Sequence, residues 1–346
     1  MNKTVDVLGL CAVALAVVAL ASAAAYAGEP DADEEPPVLF PILLGGKFGY
    51  MNQAGTIVAK PQYDDAMDFA GGLGAVEKDG RYGYVDAAGK VAIKLQFDYA
   101  GSFSEGLAVV EKDGRLGYID PTGKIVIEPK YDDAWAFSDG LAAVELDGAN
   151  GFIDPTGKMV IEPQFFGVAS FSEGLACFMR DDKVGYIDLT GKTVIKPRFD
   201  ATEDFTEGLS AVMIGEKWGY IDPTGKIVIK PKFDNAGYFS EGLAGAKVGE
   251  KWGYIDPTGK MVIEPKFEYV AMFKEGLAPV NIGGSWNDEG RFVGGKWGYV
   301  DTTGKMVIEP QFDDVWVFSH GLACVFIGSK MGYIDKTGKY VWEPTE

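Results

Sequence analysis

The stretch EKWGYIDPTGKIVIKPKFDNAGYFSEGLAGAKV, residues 216–248, decides the fold. Lys217 to Asp222 and Lys226 to Lys230 are rich in aromatic and β-branched residues, and the turn Asp222-Pro223-Thr224-Gly225 between them makes the pair a hairpin. In that turn Pro223 presets φ, Asp222 accepts from backbone amides further on, and Gly225 takes the left-handed conformation of a bulge. Pro231 interrupts the second run, which places that strand at an edge or a bend. Phe233, Phe239 and Ser240-Glu241-Gly242-Leu243-Ala244 follow, opening a third strand that reaches about Val248. After the N-terminal apolar run no segment sustains a helical period, so the stretch reads as a three-stranded antiparallel meander.

The unit recurs. Gly-aromatic pairs stand at Gly49-Tyr50, Gly83-Tyr84, Gly117-Tyr118, Gly151-Phe152, Gly185-Tyr186, Gly219-Tyr220, Gly253-Tyr254, Gly298-Tyr299 and Gly332-Tyr333, spaced by 34 residues except for one interval of 45. The turn glycine recurs in every copy, from Gly55 to Gly338, as a demand for positive φ requires. The chain is therefore an all-β repeat array of nine units, in which each unit buries its apolar face only against its neighbours. Tight turns exclude a parallel β-helix. An open superhelical array is favoured, because propellers usually carry four to eight blades of four strands; a closed β-propeller is the alternative. Leu39 to Leu44 reads as a degenerate first strand, either capping the array or completing a ring.

The sequence resembles the bacterial WG-repeat family, also called KWG repeats. Lys217-Trp218-Gly219-Tyr220-Ile221-Asp222, Lys251 to Asp256 and Lys296 to Asp301 carry the resemblance, each followed by Gly-Lys, a Val-Ile pair, Pro and a Phe-rich segment. It extends from Leu39 to the C-terminus, although Phe48, Tyr82, Leu116, Asn150, Val184 and Met331 replace the naming tryptophan in six copies. The resemblance implies a bacterial β-repeat protein and assigns it no activity.

Residues 1–27 differ in kind: an almost uncharged apolar run from Val7 to Ala25 ends in Ala25-Tyr26-Ala27, which a signal peptidase would accept. An exported protein, periplasmic or extracellular, is expected, with an uncleaved membrane anchor as the other outcome. Residues 28–37, GEPDADEEPP, read as an acidic Pro-rich linker, and 38–346 as the repeat domain. The net charge of −19 repels nucleic acid and anionic lipid. Cys177 and Cys324 share one repeat position, where other copies carry small residues such as Ala75 and Ala143, so both read as small apolar core side chains.

Chemistry is sparse. The sole histidine, His320, stands where other copies carry Glu105, Glu241 or Glu275, and no catalytic, metal or cofactor set can be named. Two aspartate series recur, Asp86 to Asp335 at the hairpin turn and Asp64 to Asp313 after the Phe-rich segment. A calcium ladder on either is the exotic reading; turn capping offset by lysine is the plain one. Trp218, Trp252 and Trp297 share one repeat position and Trp135 and Trp316 another, and they read as packing between units.

The break in the period is the candidate site. Eleven extra residues lie within 282–295, where Asn287 to Gly290 reads as the turn of an elongated hairpin flanked by Trp286 and Phe292. Trp286, Asn287, Asp288, Glu289, Arg291 and Phe292 are the candidate binding residues, since insertions in repeats map to loops. The expected function is a non-catalytic scaffold with a protein partner. A module for cell-wall or surface glycan is the alternative.

Overall fold

The computed structural model describes residues 37–287 and 291–346. The expected signal peptide, and all of the acidic linker but Pro37, lie outside the described residues. Nine antiparallel sheets follow one another in a propeller-like ring, and every described element is a strand.

Seven of the nine sheets have four strands, one more than the three-stranded unit expected. The sixth sheet is typical: Ala201–Thr202, Ser210–Ile214, Lys217–Ile221 and Ile227–Phe233, in that order. The strand after Gly-Leu therefore pairs with the hairpin that follows it, and residues 216–248 straddle two sheets. The break falls at Asp234, whose backbone amide already bonds Lys247 O of the next sheet, 2.9 Å away. The added strand is two residues long in most sheets; in the fifth it is reduced to the single bridge Val168↔Phe178. Among the described residues the first sheet shows three strands, Phe40–Leu44, Lys47–Met51 and Ile57–Tyr63.

The hairpin behaves as the turn chemistry requires. Asp222 Oδ1 accepts from the amides of Thr224 and Lys226, both at 3.0 Å, and from the Thr224 hydroxyl at 2.6 Å. Gly225 sits at φ 81°. Pro231 lies in a bulge: Trp218 pairs with Phe233 and Tyr220 with Ile229, so the outer strand carries two extra residues there. Gly219 faces that bulge, and a Cβ on it would stand 2.4 Å from Ile229 O and 2.6 Å from Pro231 N. Close backbone approach thus requires the glycine of the Gly-aromatic pair, whereas the residue before it is free to vary.

Consecutive sheets are joined by a repeated set of contacts. Tyr220, buried in the core, donates its hydroxyl to Gly237 O of the next sheet at 2.7 Å, and Tyr84, Tyr118, Tyr186, Tyr254 and Tyr299 do the same 17 residues on. Its ring packs on Phe239 at 4.9 Å. Nine apolar clusters result, each shared by two neighbouring sheets, among them Tyr220, Ile229 and Phe233 with Phe239, Ala246 and Ile255. Trp218 packs against this core from its edge, as the packing reading of the tryptophans requires, and Trp135 and Trp316 flank two others.

The ninth cluster unites the ends of the chain: Phe40, Ile42 and Met51 pack with Leu322, Cys324, Met331 and Tyr333. Tyr333 Oη donates to Pro41 O at 2.8 Å and Thr345 Oγ1 to Leu43 O at 2.6 Å. Phe40 occupies the repeat position that is Gly74, Ala108, Ala142 or Ser210 elsewhere. A Cβ at Gly74 would meet Tyr50 Oη at 2.6 Å and Phe69 Cδ2 at 2.9 Å. No phenylalanine precedes Phe40 in the sequence, and Phe40 takes the place of such a ring, meeting Tyr333 edge-on at 5.6 Å.

The short strands form the inner edge of the ring. Their turns touch from sheet to sheet, with Ser104 Oγ on Phe137 O at 2.8 Å and Ser138 Oγ on Phe171 O at 2.7 Å. Glu207, held at φ 52°, caps the Gly242 amide of the next sheet at 3.0 Å, and the same link runs from Glu105 to Gly140 and from Glu241 to Gly276. His320 shares this place, and its carbonyl accepts from Gln53 Nε2 of the first sheet at 2.6 Å.

Candidate functional site

The insertion is an elongated hairpin. Leu277–Trp286 and Phe292–Asp301 are each ten residues long, and their pairing continues to Ser285↔Val293 and Trp286↔Phe292. Buried Asn281 bends the arm: its Oδ1 accepts from the Gly284 amide at 3.0 Å and its Nδ2 donates to Gly294 O at 3.3 Å. Gly283, Gly294 and Gly295 have φ of 87°, 73° and 69°, and a Cβ on Gly295 would fall 2.3 Å from Asn281 Oδ1.

The bend lays the tip on the eighth sheet's own short strand. The Phe292 ring lies 5.2 Å from Tyr269 and 6.2 Å from Trp297, and Trp286 lies 5.9 Å from Tyr269 and 5.6 Å from Phe292. Tyr269 also meets Trp252 of the seventh sheet at 5.5 Å. Five aromatic rings thus make one packed platform, of which Trp286 is 49% exposed. Of the expected site residues, Trp286 and Phe292 come together here. The Asn287 amide bonds Arg291 O at 2.9 Å and Asn287 Oδ1 accepts from the Arg291 amide at 2.9 Å, closing the tip. Asp288 and Glu289 lie outside the described residues.

Beside the platform stands a group the sequence reading did not single out. Glu203 and Asp204, half-buried on the sixth sheet's inner edge, are adjacent carboxyls. Burial, then the neighbouring Asp204, pushes Glu203 up to about 7, against a hydrogen bond from Tyr238. Burial alone lifts Asp204 to about 6. Tyr238 is raised by burial and by both carboxylates, and Tyr269 by burial and by Glu203, which places the acids within electrostatic reach of the platform. Across the ring, Asp68 faces solvent yet is raised by the protein around it, against the charge of Lys274. The signal was present in the sequence. The residue before the repeating phenylalanine is Asp68, Ser102, Ala136, Ser170, Asp204, Tyr238, Met272 and Val317 in turn, a variable place in a constant frame.

The recurrent aspartates are engaged in the scaffold. Within the turn series, Asp120, Asp154 and Asp222 are held below the ordinary carboxylate range, first by the threonine hydroxyl two residues on. In the second series Asp234 takes Lys217 on one oxygen and the Gly249 amide on the other. Lys47–Asp64, Arg81–Asp98 and Lys296–Asp313 repeat the ion pair. Among the described residues no group of three or more acidic, histidine or cysteine side chains is placed to hold a metal ion.

Comparison with known proteins agrees with this architecture. A eukaryotic initiation factor crystal structure superposes with a TM-score of 0.62 over 90% of this chain and 98% of its own, at 11% identity, a likeness of fold alone. BamB from Moraxella catarrhalis, at 13% identity, covers 73% of this chain and 89% of its own with a TM-score of 0.46. No curated protein matches the sequence. The family described as "WG containing repeat" matches at residues 48–82, 82–115, 117–148, 151–183, 185–218, 218–252, 252–286 and 297–330, so that most of the insertion, from residue 287 on, falls between the last two matches. These matches run through most of the chain, which therefore belongs to the WG containing repeat family.

Proposed function

We propose that this protein is a non-catalytic interaction scaffold, a closed nine-bladed ring that presents the bent hairpin of its eighth sheet to a protein partner. One observation carries the reading. In a frame whose other joints repeat, the insertion spends its extra residues on an aromatic platform that leaves Trp286 49% exposed. Large exposed aromatics on a preorganised, hydrogen-bonded arm are typical anchors of binding interfaces. Closure is supported by the ninth core cluster and by the bonds from Tyr333 and Thr345 to the first sheet, since nine units in an open row would share only eight joints. Export is supported by the apolar run from Val7 to Ala25 and the Ala25-Tyr26-Ala27 site that ends it.

Binding of neutral glycan is the second reading, favoured by the same exposed Trp286 ring. Capture from the native envelope fraction, run beside a glycan array, separates the two. A protein retained by the native chain and lost on Trp286→Ala/Phe292→Ala supports the scaffold. A glycan signal with that dependence supports the second reading, and binding unaffected by the double change discards the hairpin as the site.

A further inference from the structure

We propose that the platform and the carboxylates beside it receive a cationic extended segment of the partner, one bearing lysine or arginine side chains. The inference rests on the reading of the hairpin as the binding surface and adds the chemistry of what binds there.

Two features point the same way. The platform offers ring faces: Trp286, Phe292, Tyr269 and Trp297 lie in sequence with centroids 5.2 to 6.2 Å apart, and Trp286 is half exposed. An ammonium or guanidinium over such a face is attracted by the ring quadrupole, more strongly where water is partly excluded. The neighbouring carboxyls then supply charge. Glu203 feels Asp204 and the Tyr238 hydroxyl, and among the described residues no basic side chain acts on either carboxylate. Two lysines next to platform rings in the chain are engaged by acids of their own, Lys251 by Glu268 and Lys296 by Asp313.

Two half-buried carboxylates side by side repel each other and lose hydration, and a cation from outside relieves both effects. The whole chain acts in the same sense. Its net charge of −19 draws a basic segment toward the ring and repels an acidic one. A polymer of neutral sugars would gain from the rings but nothing from this field.

The test is fluorescence anisotropy of the full chain with three labelled probes: an alternating Lys-Gly decapeptide, its Glu-Gly counterpart and a neutral chitin hexamer. The lysine peptide is expected to bind at low salt and weaken as salt rises. Trp286→Ala should reduce its affinity about tenfold, Trp286→Phe should largely preserve it, and Glu203→Gln/Asp204→Asn should reduce it by a similar factor. Unchanged circular dichroism and melting of each variant shows that the ring is intact. Three results overturn the inference: no binding of the lysine peptide at low salt, equal binding by all variants (diffuse charge alone), or Trp286-dependent binding of the chitin hexamer without that of the lysine peptide. If the lysine peptide fails while a captured protein still depends on Trp286 and Phe292, only the cationic class is lost and the scaffold reading stands.

Discussion

The Tyr333 hydroxyl donates to the Pro41 carbonyl at 2.8 Å, linking residues 292 positions apart in the chain. The bond has an internal counterpart, since Tyr50 Oη reaches Ala75 O of the second sheet at 3.0 Å, and Ala75 holds the repeat position of Pro41. Tyr333→Phe leaves a buried carbonyl unpaired and is expected to cost about 1–2 kcal/mol. Phe40→Ala empties the space of the missing inner phenylalanine, at about 3–5 kcal/mol. Urea unfolding measures both. Small-angle scattering should show a larger radius of gyration for the Phe40→Ala/Tyr333→Phe pair if the seam parts before the other joints.

Two glycines separate steric from conformational demand. Gly219→Ala forces a Cβ to within 2.4 Å of the Ile229 carbonyl oxygen, and a loss above about 3 kcal/mol is expected. Gly242, at φ 77°, has open space around it, so Gly242→Ala should cost about 1 kcal/mol. Equal losses in denaturant would show that the bulge can relax.

Asn281→Ala removes the pin of the bent arm and leaves the Gly284 amide and the Gly294 carbonyl without their partner. A loss of about 1–3 kcal/mol in local stability is expected, seen as a red shift and stronger acrylamide quenching of Trp286 in a background where other tryptophans are replaced by phenylalanine. An unchanged spectrum would mean that the aromatic contacts alone hold the tip.

Stability should respond to pH in two opposite senses. Glu203 and Asp204 are raised to about 7 and about 6 from 4.5 and 3.8, so the folded state favours their protonated forms. The groups around them are each other and the hydroxyls of Tyr186, Tyr220, Tyr238 and Tyr269. Stability from this pair therefore falls as pH rises from about 4 through 7. The turn aspartates such as Asp222 are depressed, so their contribution is present above the ordinary carboxylate pKa and lost as pH falls below it. Melting temperature against pH should show a maximum at mildly acidic pH, and Glu203→Gln/Asp204→Asn should flatten its alkaline side between 5 and 7.

What could be read from the sequence was what depends on local backbone chemistry. Asp222-Pro223-Thr224-Gly225 announced its turn, Pro231 an edge or a bend, and Leu39 to Leu44 its extra strand. Ala201–Thr202 could not be foreseen as a strand, because two residues carry no period and its pairing is set by the sheet beside it. Assigning Leu209 to the hairpin after it likewise depends on where Asp234 turns the chain. The break in period led to Trp286 and Phe292, but their contact with Tyr269 arises from a bend at Asn281, a residue that looks like any other strand position. Glu203 and Asp204 escaped because their significance lies in which short strands face one another, a matter of ring geometry.

The repeated joint carries a hazard of its own. A tyrosine hydroxyl that finds a carbonyl 17 residues on finds the same carbonyl one unit further along, or on a neighbouring molecule, with almost equal satisfaction. Unfolded copies at high concentration can therefore link end to end through joints that are locally correct, as repeat proteins do when their termini pair with the wrong partner. Phe40 is the residue that tells the ends apart. Its ring fills the space that Phe69 takes beside Gly74 in the next sheet, so the last unit meets a side chain that it would not find on the units in between.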